Sequence, residues 1–237
     1  MSANDRVLAV VIGRAGSRGL PGKNARLVAG RPMIAHAIAH ALESTSVDET
    51  IVSTDGAEIA AAARAMGVPV IDRPAALADD HATVDDAVRH AVGAHGAPAG
   101  IIVILYGNIP VRPPDLTDCA VAELRRSGAD SVQSYSTVGK HHPFWMMQID
   151  DDHRVTPYVE NTVYRRQDLP PLVLPDGGVI AVRRTALMTV VPGRPHAFLG
   201  ADRRGIVNES GAVVDVDDAV DLAVAEAILA HRAEAVS

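Results

Sequence analysis

At 237 residues, 48% of them hydrophobic and 22% charged, the chain can bury a sizeable core, and with aromatics at only 3% that core must be built from Ala, Val, Ile and Leu. A formal net charge of −7 argues against a general nucleic-acid binder, no apolar run approaches the roughly 18 residues of a membrane span, and the polar stretch Met1–Arg6 is not a signal peptide. The single Cys119 excludes an intrachain disulfide and a cysteine-based zinc site, so the cytoplasm is the expected compartment, with neither nucleic acid nor membrane as partner.

Taken in order, Val7–Ile12 is a continuous apolar run ended by glycine, as expected of a buried parallel strand. It opens into Gly13-Arg-Ala-Gly-Ser-Arg-Gly-Leu-Pro-Gly-Lys-Asn24. Pro32 then starts a helix to about Ser44, with Met33, Ile34, Ala37, Ile38, Ala41 and Leu42 on one stripe. A strand is predicted at Asp48–Thr54, and Asp55-Gly56 opens a helix facing inward through Ile59, Ala62, Ala63 and Met66 and stopped by Gly67. Val68–Ile71 reads as a short strand, Thr83 to about Val92 as a helix, Gly100–Tyr106 as a buried strand, Pro113 to about Arg126 as a helix and Asp130–Tyr135 as a strand. Cys119 is expected to be a small buried hydrophobe beside Leu116, Val121 and Leu124.

This alternation implies a parallel sheet with helices on both faces and a ligand site at the carboxyl ends of the strands. Residues 136–176 break the pattern with five prolines and four aromatics, and read as a lid or dimer arm. Gly177–Val182 returns to the sheet, and Ala212–Val216 is expected as the last strand. Asp217 is expected to cap a closing helix that turns Val220, Val224, Ala227 and Ile228 inward. The whole, residues 1–237, is expected to be one domain with the excursion inside it.

The loop at 13–24 carries Arg14, Arg18 and Lys23, and from Arg6 to Leu42 there are six basic residues and no acidic one. Glycines let a backbone approach a ligand closely, and successive N–H groups form a nest for phosphate oxygens. The dinucleotide fingerprint fails, because the spacing is Gly13-x-x-Gly16-x-x-Gly19. A Walker A loop fails too: Ser17 stands at its first glycine and Asn24 at its terminal hydroxyl. Lys23 stands out because the chain has two lysines, Lys23 and Lys140, against twenty arginines.

The loop resembles the signature of the acylneuraminate cytidylyltransferases, related to the enzymes that activate Kdo. Ile51-Val-Ser-Thr-Asp-Gly56, Asp72-Arg-Pro74 with Leu77-Ala78, His141-His-Pro143, Arg166-Gln-Asp-Leu-Pro170 and Val214-Asp-Val-Asp217 are similar to further family motifs in the same order. The resemblance implies a Rossmann-like three-layer α/β/α nucleotidyltransferase (GT-A-like) fold with a protruding dimerisation arm. It implies transfer of CMP from CTP to an acidic sugar with loss of pyrophosphate, in a homodimer. Arg14, Ser17 and Lys23 would hold the triphosphate, and Asn24, Arg73 and Thr83 the nucleotide. Asp215 and Asp217 would hold Mg²⁺, which takes a few carboxylates plus substrate phosphates. Alternation along an extended segment would point both to one side. Arg112 ends the fourth-strand motif, with a structural ion pair as the competing role.

On the acceptor side the chain departs from the family pattern. Tyr106 stands where the family has a sugar-reading glutamine, Trp145 where it has a lysine, and Leu174-Pro-Asp-Gly177 replaces Arg-Pro-Asn-Gly, while Arg166 is retained to meet a carboxylate. A different nonulosonate, a Kdo-like sugar or a phosphonic acid are alternative acceptors, and a catalytically silent nucleotide-binding homologue is a further alternative. His141-His142 points its rings to opposite sides and reads as hydrogen bonding or arm packing rather than a metal pair. Trp145, Tyr158 and Tyr164 read as arm contacts.

Overall fold

The computed structural model describes residues 5–16, 19–79 and 81–234. The strands are β1 Val7–Ile12, β2 Leu27–Val28, β3 Arg31–Pro32, β4 Glu49–Thr54, β5 Val70–Asp72, β6 Ile101–Tyr106, β7 Ser131–Thr137, β8 Met147–Ile149, β9 Val155–Pro157, β10 Val173–Arg183 and β11 Arg203–Asn208. The helices are α1 Met33–Glu43, α2 Ala57–Ala65, α3 Val84–His95, α4 Leu116–Ser127, α5 Arg184–Leu187 and α6 Ala219–Glu234.

Seven strands form one sheet in the order β11-β7-β10-β6-β1-β4-β5. All run parallel except β10, which is antiparallel to both β6 and β7. β1 is buried at all six positions, as its unbroken apolar run requires of a central strand covered on both faces. One face packs on α1, α2 and α4 through Ile34, Ile38, Ile59, Ala63, Val121 and Leu124. The other packs on α3 and α5 through Val88, Val92 and Leu187. The expected three-layer arrangement is therefore present.

A smaller third cluster joins distant parts of the chain. Leu20 of the glycine-rich loop, Val28, Met33, Val111, Val214 and Val216 close around Ala225 of α6. Hydrophobic contact thus ties the loop after β1 to the segment carrying Asp215 and Asp217.

Several expectations change. Leu42, expected on the inward stripe of α1, is exposed at the end of that helix. Residues 212–216 are not a sheet strand; they make a single antiparallel bridge, Val111 to Val214, and the last strand is β11. β11 fills the sheet edge beside β7, so Val214 and Val216 pack into the α6 cluster instead. α6 is rotated from the expected face: Ala225 is buried with Leu222, Ile228 and Leu229 partly buried against the cluster, while Val220, Val224 and Ala227 are exposed. Asp217 is not its cap. Asp218 accepts from the Val220 and Asp221 amides, and Asp221 accepts from the Asp217 and Asp218 amides. Cys119 is exposed, because α4 turns Leu116, Thr117, Ala120, Val121 and Leu124 inward and residue 119 falls on the far side of that stripe.

β7 and β10 stay paired to Thr137 and Val173, beyond the expected edges of the excursion. The stretch between them, 138–172, carries the β8–β9 hairpin. His142 is buried there, its Nε2 against the Pro170 carbonyl at 3.1 Å and its ring edge-on to Phe144, which is the packing role expected of it. Among the described residues no helix is long and apolar enough to cross a membrane.

Candidate active site

The carboxyl ends of β1, β4 and β6 deliver Gly13, Thr54 and Tyr106 to one edge of the sheet, where parallel α/β sheets place ligands. A cavity of about 270 Å³ opens there, lined by Arg14, Asn24, Arg73, Thr83 and Tyr106 among others. Five of the residues singled out in the sequence therefore share one wall. Ser17 lies outside the described residues.

Each is held by an identifiable contact. Arg14 donates to the Asp79 carbonyl at 3.2 Å, bridging the glycine-rich loop to the segment before α3. Asn24 is buried and donates to the Arg14 carbonyl at 3.0 Å, and its Oδ1 has no partner among the described residues. A buried acceptor with nothing to accept is costly, and a ligand donor at the cavity would satisfy it. Arg73 donates to the Ser53 hydroxyl at 3.2 Å and the Ser53 carbonyl at 2.7 Å, which fixes its guanidinium at the end of β4. Burial lowers its pKa, with Asp55 opposing. Thr83 is the N-cap of α3, accepting from the Asp86 amide at 3.2 Å, so its hydroxyl already has structural work at the cavity rim.

Lys23 lies at the other side of the loop. Its Nζ donates to Asp217 Oδ1 at 2.7 Å. Gly19 makes that meeting possible: a Cβ there would stand 2.6 Å from the Asp217 carbonyl oxygen. The buried Val214 and Val216 alternate with Asp215 and Asp217, which keep surface exposure as residues while the Asp215 carboxyl turns in against Asn108, so the segment is extended although it joins the sheet at one bridge only. Asp215 accepts a short hydrogen bond from Asn108 Nδ2. Burial first, then the Asp217 charge, push the Asp215 carboxyl up to about 6, with Lys23 pulling the other way. Among the described residues no three His, Cys, Asp or Glu side chains converge as a metal cage. Two carboxylates without a third suit a cation that keeps substrate oxygens in its shell, as Mg²⁺ does.

Tyr106 also lines a neighbouring cavity of about 480 Å³ with Gln133, Tyr135, His196 and Arg203. Burial, then Asp215 and Asp85, push its hydroxyl up to about 12, so it stays protonated at neutral pH. Trp145 is half-buried in the arm and Arg166 is exposed there, and neither lines either of these two cavities. Among the described residues Arg112 makes no ion pair. Its guanidinium is buried and donates to the carbonyls of Tyr106 at 2.7 Å, Gly178 at 2.7 Å and Ile109. Burial lowers its pKa to about 9, still charged at neutral pH. Asn108, Gly19 and Asp79 were not singled out as site residues from the sequence. Gly19 carried a signal, as a glycine of the loop where close backbone approach is expected; the pairing of Asn108 with Asp215 carried none.

The sequence matches the family model described as cytidylyltransferase over residues 8–170. It is 29% identical over 240 residues to the CMP-N,N'-diacetyllegionaminic acid synthase of Legionella pneumophila, covering 97% of this chain and 99% of that protein. It is 30% identical over 174 residues to the N-acylneuraminate cytidylyltransferase of Streptococcus agalactiae serotype V, 73% of this chain and 42% of that one, so the chain spans less than half of that relative. A solved structure of CMP:2-keto-3-deoxy-manno-octonic acid synthetase complexed with CTP matches with a TM-score of 0.74 at 20% identity, over 96% of this chain and 99% of that one, a likeness of fold. The glycine-rich loop at the end of β1 and a family match that runs through the strands beneath it lead to one assignment: the chain belongs to the cytidylyltransferase family.

Proposed function

We propose that this chain transfers CMP from CTP to an acidic sugar of the sialic acid or nonulosonate type, releasing pyrophosphate. The observation that carries the reading is that Lys23 meets Asp217 from the same glycine-rich loop whose Arg14 and Asn24 wall the strand-end cavity with Arg73. Phosphoryl transfer of this kind is mostly positioning and charge neutralisation. Asn24 and Arg73 hold the nucleoside. Arg14 and Lys23 neutralise the triphosphate, and Lys23 leaves Asp217 for a phosphate oxygen when CTP arrives. Asp215 and Asp217 would hold Mg²⁺, which when bound polarises the reacting phosphate and offsets the charge of the pyrophosphate leaving group. The sugar hydroxyl attacks the α-phosphorus, and the oxygen bridging the α- and β-phosphorus atoms departs with pyrophosphate.

Tyr106 stands between the two cavities and reads the acceptor, with Trp145 and Arg166 supplied from the arm of a second copy. Exposed Met147, Ile149, Val155 and Tyr164 on the arm support a homodimer. The reading places the reaction in the cytoplasm. The test is pyrophosphate release with CTP, UTP and GTP against sialic acid, legionaminate, Kdo and a phosphonic acid, with and without Mg²⁺. CTP-specific, Mg²⁺-dependent release with a nonulosonate is expected. Release with the phosphonate alone would move the acceptor class, and no release with any acceptor would leave a nucleotide-binding homologue.

A further inference from the structure

A second cleft, of about 530 Å³, lies between β3, α1, the stretch 110–114 and the last turn of α6. It shares no lining residue with the two cavities of the candidate active site. Its ionisable walls are Arg31, Arg112, Arg232, His36 and His40, against the single acid Glu43. In a chain of net charge −7 this is a local reversal of sign.

The cationic groups are arranged outward from a fixed floor. Three of the five N–H donors of the Arg112 guanidinium go to backbone carbonyls, so the group is fixed in place and contributes chiefly its charge. Arg232 spends one nitrogen on the Arg112 carbonyl at 2.9 Å, which anchors the end of α6 over the cleft. Arg31 is exposed on β3, and its side chain makes no hydrogen bond or ion pair among the described residues. His36 is fixed by its Nε2 on the Val28 carbonyl at 2.9 Å, and His40 by its Nε2 on Thr117 Oγ1 at 2.8 Å. The nearby arginines affect both rings: after burial, Arg31 lowers the His36 pKa and Arg112 that of His40. A metal is a poor fit, since arginines line the cleft and no ligand triad forms among the described residues.

We propose that this cleft is a binding site for a small phosphate-class anion, gripped by the guanidinium groups of Arg31 and Arg232 over the buried charge of Arg112. Guanidinium forks match phosphate oxygens in pairs, and two of them from separate elements can hold one anion. The site is independent of the transfer reaction and does not rest on it.

His36 supplies a local readout, because an anion beside Arg31 offsets the charge that depresses its protonation. The experiment follows the histidine ring Cε1–H resonances of the full chain during titration with inorganic phosphate at constant ionic strength, His36 being assigned through His36→Gln. A parallel titration uses a sugar monophosphate, and tighter binding of that probe assigns the source to phosphorylated metabolites. A saturable shift of the His36 resonance is expected, weakened by about tenfold or more in Arg31→Ala/Arg232→Ala, with pyrophosphate release unchanged. The exposed single substitution Arg31→Gln provides the same test if the double variant folds poorly. A linear, unsaturating shift, or the same half-saturation in wild type and variants, overturns the proposal.

Discussion

Lys23 Nζ sits 2.7 Å from Asp217 Oδ1, an ion pair that joins positions 194 residues apart. The carboxylate is three-quarters exposed while the lysine is mostly covered. An exposed partner makes such a pair worth about 1 kcal/mol or less to the fold. Its value is positional: it holds the loop cation proposed to meet the triphosphate beside the two candidate metal carboxylates. Lys23→Ala should therefore lower pyrophosphate release by about 100-fold or more while the melting temperature moves by only a few degrees. Asp217→Asn should give a comparable loss, and the double variant should lose little beyond either single one, because one unit is being removed. Near-normal turnover in Lys23→Ala removes Lys23 from the mechanism.

Gly19 reports on the same contact from the backbone side. A Cβ placed there meets the Asp217 carbonyl oxygen at 2.6 Å, and a backbone atom has no rotamer by which to retreat. Gly19→Ala should push the loop away from the Asp217 segment, and should cost at least about tenfold in kcat/KM for CTP, since small misplacements of positioning groups carry large rate penalties. Unchanged kinetics in Gly19→Ala would mean that the loop and the segment move independently.

The parts of the fold legible in the sequence are those where local pattern and tertiary burial agree. β1 and β6 are unbroken apolar runs and lie buried in the sheet. The glycines that end α2, α3 and α4 all have positive φ, as such stops require. β11 was illegible because Arg203-Arg-Gly-Ile-Val-Asn208 is a polar edge strand with one sheet neighbour, and edge strands carry little apolar signal. Val213-Val-Asp-Val216 alternates like a strand, yet the edge it might have joined was taken by β11. α6 carries Ala and Val almost all round, so its wheel does not say which stripe faces inward. At the site, Arg14, Asn24 and Arg73 were legible from the motif spacing. Asn108 was not, because its partner Asp215 is distant in sequence and only the folded β6 end brings the two together.

The seam between α1 and α4 should set the acid limit of stability. His40 is buried against Thr117, and burial, then the Arg112 charge, push its pKa down to about 4. The folded value lies below the unfolded one of about 6.5, so folding favours the neutral ring. That stability is complete above pH 6.5 and is lost as pH falls from 6.5 through 4, by up to about 3 kcal/mol. Asp118 titrates lower. Partial burial raises it, but hydrogen bonds from Ser44, Ser46 and Thr45 outweigh that and hold it at about 2, so its contribution fades only between about pH 4 and 2. Thermal melts from pH 8 to 4 should show a falling limb below 6.5 that flattens in His40→Gln. An equally steep limb in that variant assigns the loss to other groups.

Asn108 couples the end of β6 to the candidate metal carboxylates twice over. Its side chain donates to Asp215 Oδ1, and its carbonyl accepts from the Val216 amide at 3.0 Å. The backbone contact fixes where residues 215–217 run, and survives substitution. The side-chain contact fixes how the Asp215 carboxylate is turned, and does not. Residues that orient a metal-binding carboxylate typically cost on the order of 10- to 100-fold in metal affinity when removed. Asn108→Ala should accordingly raise the Mg²⁺ concentration for half-maximal pyrophosphate release by about tenfold or more, with kcat at saturating Mg²⁺ reduced less. Asn108→Asp is the sharper variant: it keeps the shape of the side chain but sets a third negative charge against Asp215, which should weaken turnover further at low Mg²⁺ and recover as Mg²⁺ is raised. A purely structural Asn108 would lower the melting temperature and leave the Mg²⁺ half-saturation where it was, and that result would detach Asn108 from the candidate site.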